Sequence, residues 1–145
     1  MIEFNKLIPE LIVSNIKKSL KFYCKVLDFK IEYERPENGF AFLSYHGSQL
    51  MLEQDDYNLS PWRVAPLERP YGRGMNLSIN CPDVAALART VRSCGYELRK
   101  PVETCWYREN NELLGECNFL VLDPDGYLLR FAQALDPKHK PHDKR

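Results

Sequence analysis

Apolar and polar residues follow two similar series of patterns along this chain. In the first series, Lys6–Val13 alternates like a β-strand and is followed by residues with helical spacing. Asn15 is placed to cap that helix, whose lysines lie on the opposite face from its apolar residues Ile16, Leu20, Tyr23 and Leu27. Three further strands are predicted after the helix, at Phe29–Arg35, Phe40–Tyr45 and Gln49–Gln54.

The second series repeats the same order. Met75–Cys81 is predicted as a strand, and Asp83 begins a helix that ends at Gly95. Three strands follow, at Glu97–Arg108, Leu113–Leu122 and Gly126–Ala132. The repetition indicates an internal duplication. It predicts an α+β fold in which two βαβββ modules form curved half-sheets around a groove, with the helices on the outer face.

The boundaries of these series predict the domain organisation. Residues 1–135 are expected to form a single domain, with module one at 6–54, a proline-rich linker at 55–71 and module two at 72–134. The tail 136–145 is rich in Lys, Pro and His and is predicted to be disordered. A chain of 145 residues is long enough to bury a core without metal ions or disulfides.

Composition excludes several classes of partner. Twenty basic and twenty acidic residues give a net charge of zero, which favours neither nucleic acid nor an anionic membrane surface as a partner. Neither a signal peptide nor a membrane-spanning run is apparent, so a soluble, cytoplasmic protein is predicted. An odd number of widely spaced cysteines favours reduced core thiols. They are Cys24, Cys81, Cys94, Cys105 and Cys117.

One arginine is the first candidate for a functional role. The run 123–126 (Asp-Pro-Asp-Gly) predicts a hairpin turn, and Arg130 interrupts the apolar strand that follows it. Such a charge needs water, a carboxylate or a ligand. Alternation places Asn76, Ser78 and Glu10 on the groove side as well. Two interpretations remain open: Arg130 pairs with Glu10, or it binds a carboxylate or phosphate of a ligand.

Aromatic residues are the other ligand-binding candidates. Phe42 lies on one face of its strand, where either core packing or a ligand explains it. Trp62, in the linker, is expected to cover a subunit interface or to stack on a flat ligand. Trp106 and Arg108 form a second candidate cluster, for which sheet packing is the alternative. No Ser-His-Asp, Cys-His or acidic pair has the spacing of a catalytic set, so no catalytic residue is predicted.

Three segments together resemble the vicinal-oxygen-chelate superfamily, which has the glyoxalase and bleomycin-resistance fold. They are Leu11–Phe29, Asn80–Gly95 and Phe119–Phe131. Within that superfamily, the runs Glu34–Phe40, Gln49–Gln54 and Gly126–Gln133 look most like bleomycin-resistance-type proteins.

The resemblance also implies where a metal ion would be held. Enzymes of the superfamily bind a divalent metal at positions that correspond here to Ile8, Leu52, Gly74 or Met75, and Arg130. None of these side chains is a ligand for such a cation, so no metal and no cofactor are expected. Glu53 is adjacent to Leu52, and a shift of one residue in register would turn it towards the groove.

The resemblance therefore favours a metal-free binding protein. It implies a homodimer that sequesters an aromatic-bearing drug or metabolite in a groove at the dimer interface, although the neutral chain and Arg130 do not suit cationic bleomycin itself. One alternative is a metal-dependent glyoxalase-like or dioxygenase-like enzyme with an unrecognised metal site. Another is a structural or regulatory protein whose groove is only a dimer interface.

Overall fold

Two four-stranded sheets contain most of the chain in this computed structural model, which describes residues 2–57 and 61–139. The chain divides into two compact units. The first unit comprises residues 1–76 and 122–128, and the second comprises 77–121 and the segment from 129 onward.

The first sheet has the strand order β1-β4-β3-β2. β1 pairs with β4 in parallel, and the remaining pairs are antiparallel. A short 3-10 helix, Pro36–Asn38, joins β2 to β3. The strands are β1 (Glu10–Val13), β2 (Lys30–Arg35), β3 (Phe40–Tyr45) and β4 (Ser48–Gln54).

The helix of the first unit begins where its cap predicts. The Asn15 side chain accepts a hydrogen bond from the Lys18 amide at 3.1 Å, and α1 (Ile16–Leu20) follows. The helix then widens into π-helical turns at Lys21–Val26, which sequence periodicity did not predict. Within these turns Phe22, Tyr23 and Val26 are completely or almost completely buried.

The second unit repeats this arrangement with the order β5-β8-β7-β6. The Asp83 side chain caps α2 by accepting from the Ala86 amide at 3.0 Å. The apolar face of α2 is buried, as its periodicity predicts. The elements are β5 (Asn76–Asn80), α2 (Val84–Ser93), β6 (Lys100–Glu109), β7 (Glu112–Leu122) and β8 (Leu128–His139). The α+β class and the duplicated order of elements are confirmed.

Two features of the second half differ from the prediction. β8 continues to His139, so strand pairing extends into the segment predicted to be a disordered tail, and residues 140–145 lie outside the described residues. The hairpin turn at 122–128 belongs to the first unit, although its strands belong to the second sheet.

All five cysteines are free thiols, but only Cys81 is buried and Cys94 is exposed, so the prediction that they are core side chains is wrong for most of them. Over residues 2–57 and 61–139, no helix has the length and apolar character needed to cross a membrane. The cytoplasmic location stays a prediction.

Candidate functional site

The pairing register decides which side chains share the face of the first sheet opposite the helix. Ile12 pairs with Glu53, and Leu11 pairs with Leu52. Paired residues point to the same side of a sheet, and neighbours along a strand point to opposite sides. Leu11 and Leu52 are buried in the core, so Glu10, Ile12 and Glu53 occupy the other face. The register therefore places Glu53, rather than Leu52, on the same face as Glu10.

Two carboxyl groups and a guanidinium interact on this face. Burial raises the pKa of Glu10, and the negative charge of Glu53 and a hydrogen bond with it raise that pKa further. The positive charge of Arg35 opposes the shift. Arg35 itself lies over the ring of Phe40, with its guanidinium carbon 4.0 Å from the ring centroid.

A cavity of about 410 Å³ adjoins this face within the first unit. Glu10 and Ile12 of β1 line one side, and the linker segment from Trp62 to Arg73 lines most of the rest, together with Tyr127. Its volume lies within the usual range for small-molecule sites. Trp62 is 70% exposed and lines the cavity.

A buried ion pair holds the linker together directly after β4. Arg63 contacts Asp55 at 2.9 Å and Asp56 at 3.6 Å, and the side chains of Arg63 and Asp55 are only 12% and 3% exposed. The other arginine that lines the cavity, Arg73, donates hydrogen bonds to backbone carbonyls of the linker. Both positive charges in the lining are thus already engaged.

Tyr127 is held at the cavity from two directions. Its hydroxyl donates to the Ile12 carbonyl at 2.8 Å, and its amide donates to the Asp123 carboxylate at 2.9 Å. A Cβ on Gly72 would lie 2.6 Å from the Tyr127 ring, so the linker backbone approaches the ring as closely as glycine allows. The cavity wall is therefore a packed surface fixed by the hairpin turn.

Asp123 organises this turn. It accepts hydrogen bonds from the Tyr23 hydroxyl at 2.8 Å and from the amides of Asp125 and Tyr127 at 2.9 Å each. Burial raises the pKa of Asp123 to about 6, while these hydrogen bonds act in the opposite direction. Asp125 is buried as well and accepts from the backbone amide of Ser14 at 3.0 Å.

The raised pKa of Asp123 predicts a pH dependence of stability. A carboxyl group with a raised pKa binds more protons in the folded state, so its stabilising contribution is present below pH 3.8 and is lost as pH rises through about 6. We expect the free energy of unfolding of the wild-type protein to fall by about 2 kcal/mol between about pH 4.5 and 7, relative to Asp123→Asn. Urea denaturation of both proteins across this range measures the difference. Parallel pH profiles would contradict the prediction.

The second sheet carries Arg130 on a face of its own. Leu129 and Phe131 are fully buried, and Phe131 stacks on Phe119 at 5.5 Å, so Arg130 points to the opposite side. Among the residues that the structure describes, the buried Nε of Arg130 has no hydrogen-bond partner. Its positive charge lowers the pKa of Tyr107, whose overall shift is upward and is caused first by a hydrogen bond with Cys105.

The remaining predicted residues of the second sheet divide between its two faces. Asn76 and Ser78 are exposed and alternate with the buried Ile79, so they share the face of Arg130. Trp106 and Arg108 lie on the other face. Because Trp106 pairs with Gly115, its ring packs over that glycine, where an added Cβ would lie 2.4 Å from it. Sheet packing therefore accounts for Trp106.

Phe42 is also part of the packing. It is 1% exposed, stacks on Tyr33 at 5.1 Å and meets Phe4 edge-on at 5.3 Å. Of the residues predicted from the first half of the chain, Glu10 and Trp62 come together at the cavity, whereas Phe42 does not line it. The pairing of Glu10 with Arg130 stays a prediction.

The side chains at the superfamily's metal positions do not fit a divalent cation. Ile8, Leu52 and Met75 offer no donor atoms, Gly74 has no side chain, and Arg130 carries a permanent positive charge. In the part of the chain that the structure describes, no three His, Cys, Asp or Glu side chains come together as metal ligands.

Sequence reasoning missed several residues of the site. Tyr127 directly follows the hairpin turn, and this position in the sequence could have indicated that its side chain is held in one place. Glu68 and Arg63 gave no signal, because irregular proline-rich segments have no periodicity from which a direction can be predicted.

A family model described as the Glyoxalase/Bleomycin resistance protein/Dioxygenase superfamily matches residues 7–131. Among solved structures, virulence protein STM3117 from Salmonella typhimurium is 18% identical, with 93% of this chain and 100% of that chain covered and a TM-score of 0.69. TioX from Micromonospora sp. ML1 is 17% identical, with coverages of 91% and 100% and a TM-score of 0.68.

A superfamily protein from Alicyclobacillus acidocaldarius is 17% identical, with 91% of this chain and 92% of that chain covered and a TM-score of 0.62. At these identities the structures support the fold alone. No curated protein matches the chain.

Proposed function

Because the chain belongs to the Glyoxalase/Bleomycin resistance protein/Dioxygenase superfamily, we propose that it is a small-molecule-binding protein. Its ligand is a flat, positively charged compound held without covalent change in the cavity of the first unit. The observation that carries the proposal is this cavity of about 410 Å³, lined by Trp62, Tyr127, Glu10 and Glu68.

The lining combines aromatic and acidic groups. A tryptophan stacks on a flat ring and attracts cations to its face. The carboxylates of Glu10 and Glu68 supply negative charge, whereas the two arginines in the lining are engaged by Asp55, Asp56 and backbone carbonyls. These charges favour a cationic ligand over an anionic one.

The same proposal includes binding of the ligand without a metal ion. It is supported by the chemistry of Ile8, Leu52, Met75 and Arg130, none of which provides a ligand for a divalent cation. Sequestration at a homodimer interface, as in bleomycin-resistance-type proteins, is the finer form of the proposal. Light scattering tests the dimer, and mass spectrometry of the recovered ligand tests the absence of turnover.

The binding test uses three matched probes, 1-naphthylmethylammonium, 1-naphthylmethanol and 1-naphthoate, together with bleomycin, in isothermal titration calorimetry. We expect the ammonium compound to bind most tightly. Trp62→Ala and Glu10→Gln should each weaken it about 10-fold, since one removes the stacking surface and the other a counter-charge.

Two matched controls accompany these variants. Tyr57→Ala removes another exposed aromatic side chain of the linker, and Glu37→Gln removes an exposed carboxylate. Neither residue lines the cavity. Both should bind like the wild-type protein. Absence of saturable binding by every probe, or equal losses in the controls, would overturn the proposal.

A further inference from the structure

Arg130 lies in the second sheet with an unmet requirement for hydrogen bonding. Its Nε is buried without a partner among the residues described, and no described carboxylate of the second unit forms an ion pair with its guanidinium. A buried donor without an acceptor is destabilising, and more so when it is charged. The position therefore needs an acceptor that the described part of the second unit does not supply.

One acidic side chain of this face, Glu116, is held by a neighbour on its own strand. Glu116 shares the face of Tyr107 through the pairing of Cys105 with Glu116, and it accepts a hydrogen bond from the Asn118 amide group at 2.8 Å. Asn118 is buried and accepts in turn from Lys100 at 2.7 Å. This chain of hydrogen bonds orients Glu116 along its own strand.

The neighbouring strand offers hydrogen-bonding groups instead. β5 adjoins β8 in the sheet, and the Cys81 amide donates to the Ala132 carbonyl at 2.8 Å. Ser78 of β5 is exposed on the face of Arg130. A hydroxyl donates to oxygen, so this face presents a guanidinium with an uncharged donor on the adjacent strand.

We propose that Arg130, with Ser78 on the adjacent strand, binds an oxyanion group of a small molecule, either a carboxylate or a phosphate. The planar guanidinium pairs with two oxygens of such a group at once. An anion therefore binds at the position that corresponds, by resemblance, to the last metal ligand of the superfamily's enzymes. This inference goes beyond the proposed function, because it concerns a different unit and a ligand group of opposite charge.

The test follows backbone amide signals by NMR during titration with benzoate, phenyl phosphate, benzamide and benzylammonium. We expect the two anions to shift signals of β5 and β8, while the neutral and cationic probes leave them unchanged. A preference for benzoate or for phenyl phosphate identifies the kind of oxyanion. Arg130→Gln should weaken anion binding about 10-fold or more, since it removes both the charge and the bidentate geometry.

Two further variants distinguish specific recognition by Arg130 from a general effect of positive charge on anion binding. Arg130→Lys should retain part of the affinity, about 5-fold below wild type, because lysine keeps the charge but not the planar group. Arg108→Gln removes an exposed arginine from the opposite face of the same sheet and should bind like the wild type. If Arg130→Gln does not fold, the comparison of Arg130→Lys with Arg108→Gln still decides the matter.

Several results would overturn the inference. Equal binding of benzoate and benzamide would show that no charge is recognised. Unchanged anion affinity in the Arg130 variants, or an equal loss in Arg108→Gln, would show that Arg130 has no specific role. None of these results depends on the cavity of the first unit, so the proposed function and this inference can fail separately.

Discussion

Replacing Asp123 with alanine is expected to lower the free energy of unfolding by about 4 kcal/mol, measured by urea denaturation. The carboxylate accepts from the Tyr23 hydroxyl and from two backbone amides, and it is itself only 4% exposed. Alanine would leave all three donors unsatisfied in a buried turn. Each unsatisfied buried group costs about 1–3 kcal/mol, and partial hydration of the opened turn reduces the total.

Asp123→Asn is the matched control for this loss. The asparagine side-chain oxygen still accepts from the amides of Asp125 and Tyr127, and its amide group donates to the Tyr23 oxygen. We expect this variant to lose only about 1 kcal/mol near neutral pH. An alanine variant within that same range would show that the turn does not depend on the carboxylate.

Replacing Gly126 with alanine should cost about 3 kcal/mol of unfolding free energy. An added Cβ would lie 2.6 Å from both Cα and Cβ of Pro70 and 3.2 Å from the Tyr71 amide nitrogen. The backbone cannot move away freely, because the Tyr71 amide donates to the Asp125 carbonyl at 2.9 Å. The left-handed conformation of Gly126, with φ of 94°, adds strain for any other residue.

Gly47→Ala separates the two causes. Gly47 has a similar φ of 89°, and no atom of the described residues lies within 4 Å of an added Cβ. This variant should lose only about 1 kcal/mol, from backbone strain alone. Thermal or urea denaturation of both variants measures the difference between their losses of unfolding free energy. This difference is the cost of the steric contact between the turn and the linker. Equal losses would contradict the steric explanation.

The contact at Gly126 also bears on ligand binding. Pro70 lines the cavity, and Tyr127 follows Gly126 directly. A displaced turn would therefore move two parts of the cavity wall, so the affinity for 1-naphthylmethylammonium provides a second measurement for the same variant. Gly47 lies at the β3–β4 turn and does not line the cavity, which makes it a suitable control here as well.

Much of the local structure was predictable from individual residues. Asn15 and Asp83 cap their helices because short polar side chains accept from amides three residues later. β3 has the predicted bounds, since turn residues stand on both sides of it. These interactions involve neighbours along the chain, which is why the sequence pattern contains them. The repeated order of elements is the sum of such local signals.

The candidate site was predictable only in part. Glu10 and Trp62 were identified and meet at one cavity, whereas Trp106 and Arg108 were assigned to a ligand surface and lie on the face opposite Arg130. The face of the sheet to which a side chain points depends on the pairing register of its strand. Sequence alone leaves that register uncertain by one residue, and a shift of one residue moves every side chain to the opposite face. Glu53 illustrates the same uncertainty, which its pairing with Ile12 resolved.

The sequence by itself determined the fold class, the helix caps, the hairpin turn and the absence of ligands at the superfamily's metal positions. Tertiary structure alone decided that the turn at 122–128 packs within the first unit and that the linker lines a cavity. It also decided that Arg130 has a buried nitrogen with no hydrogen-bond partner among the described residues. The physical reason is the range of the interactions. Caps and turns form between residues that are near neighbours in the sequence. Cavities and unpaired donors depend on packing between distant segments, such as those joined by the hydrogen bond between Tyr23 and Asp123, about a hundred residues apart.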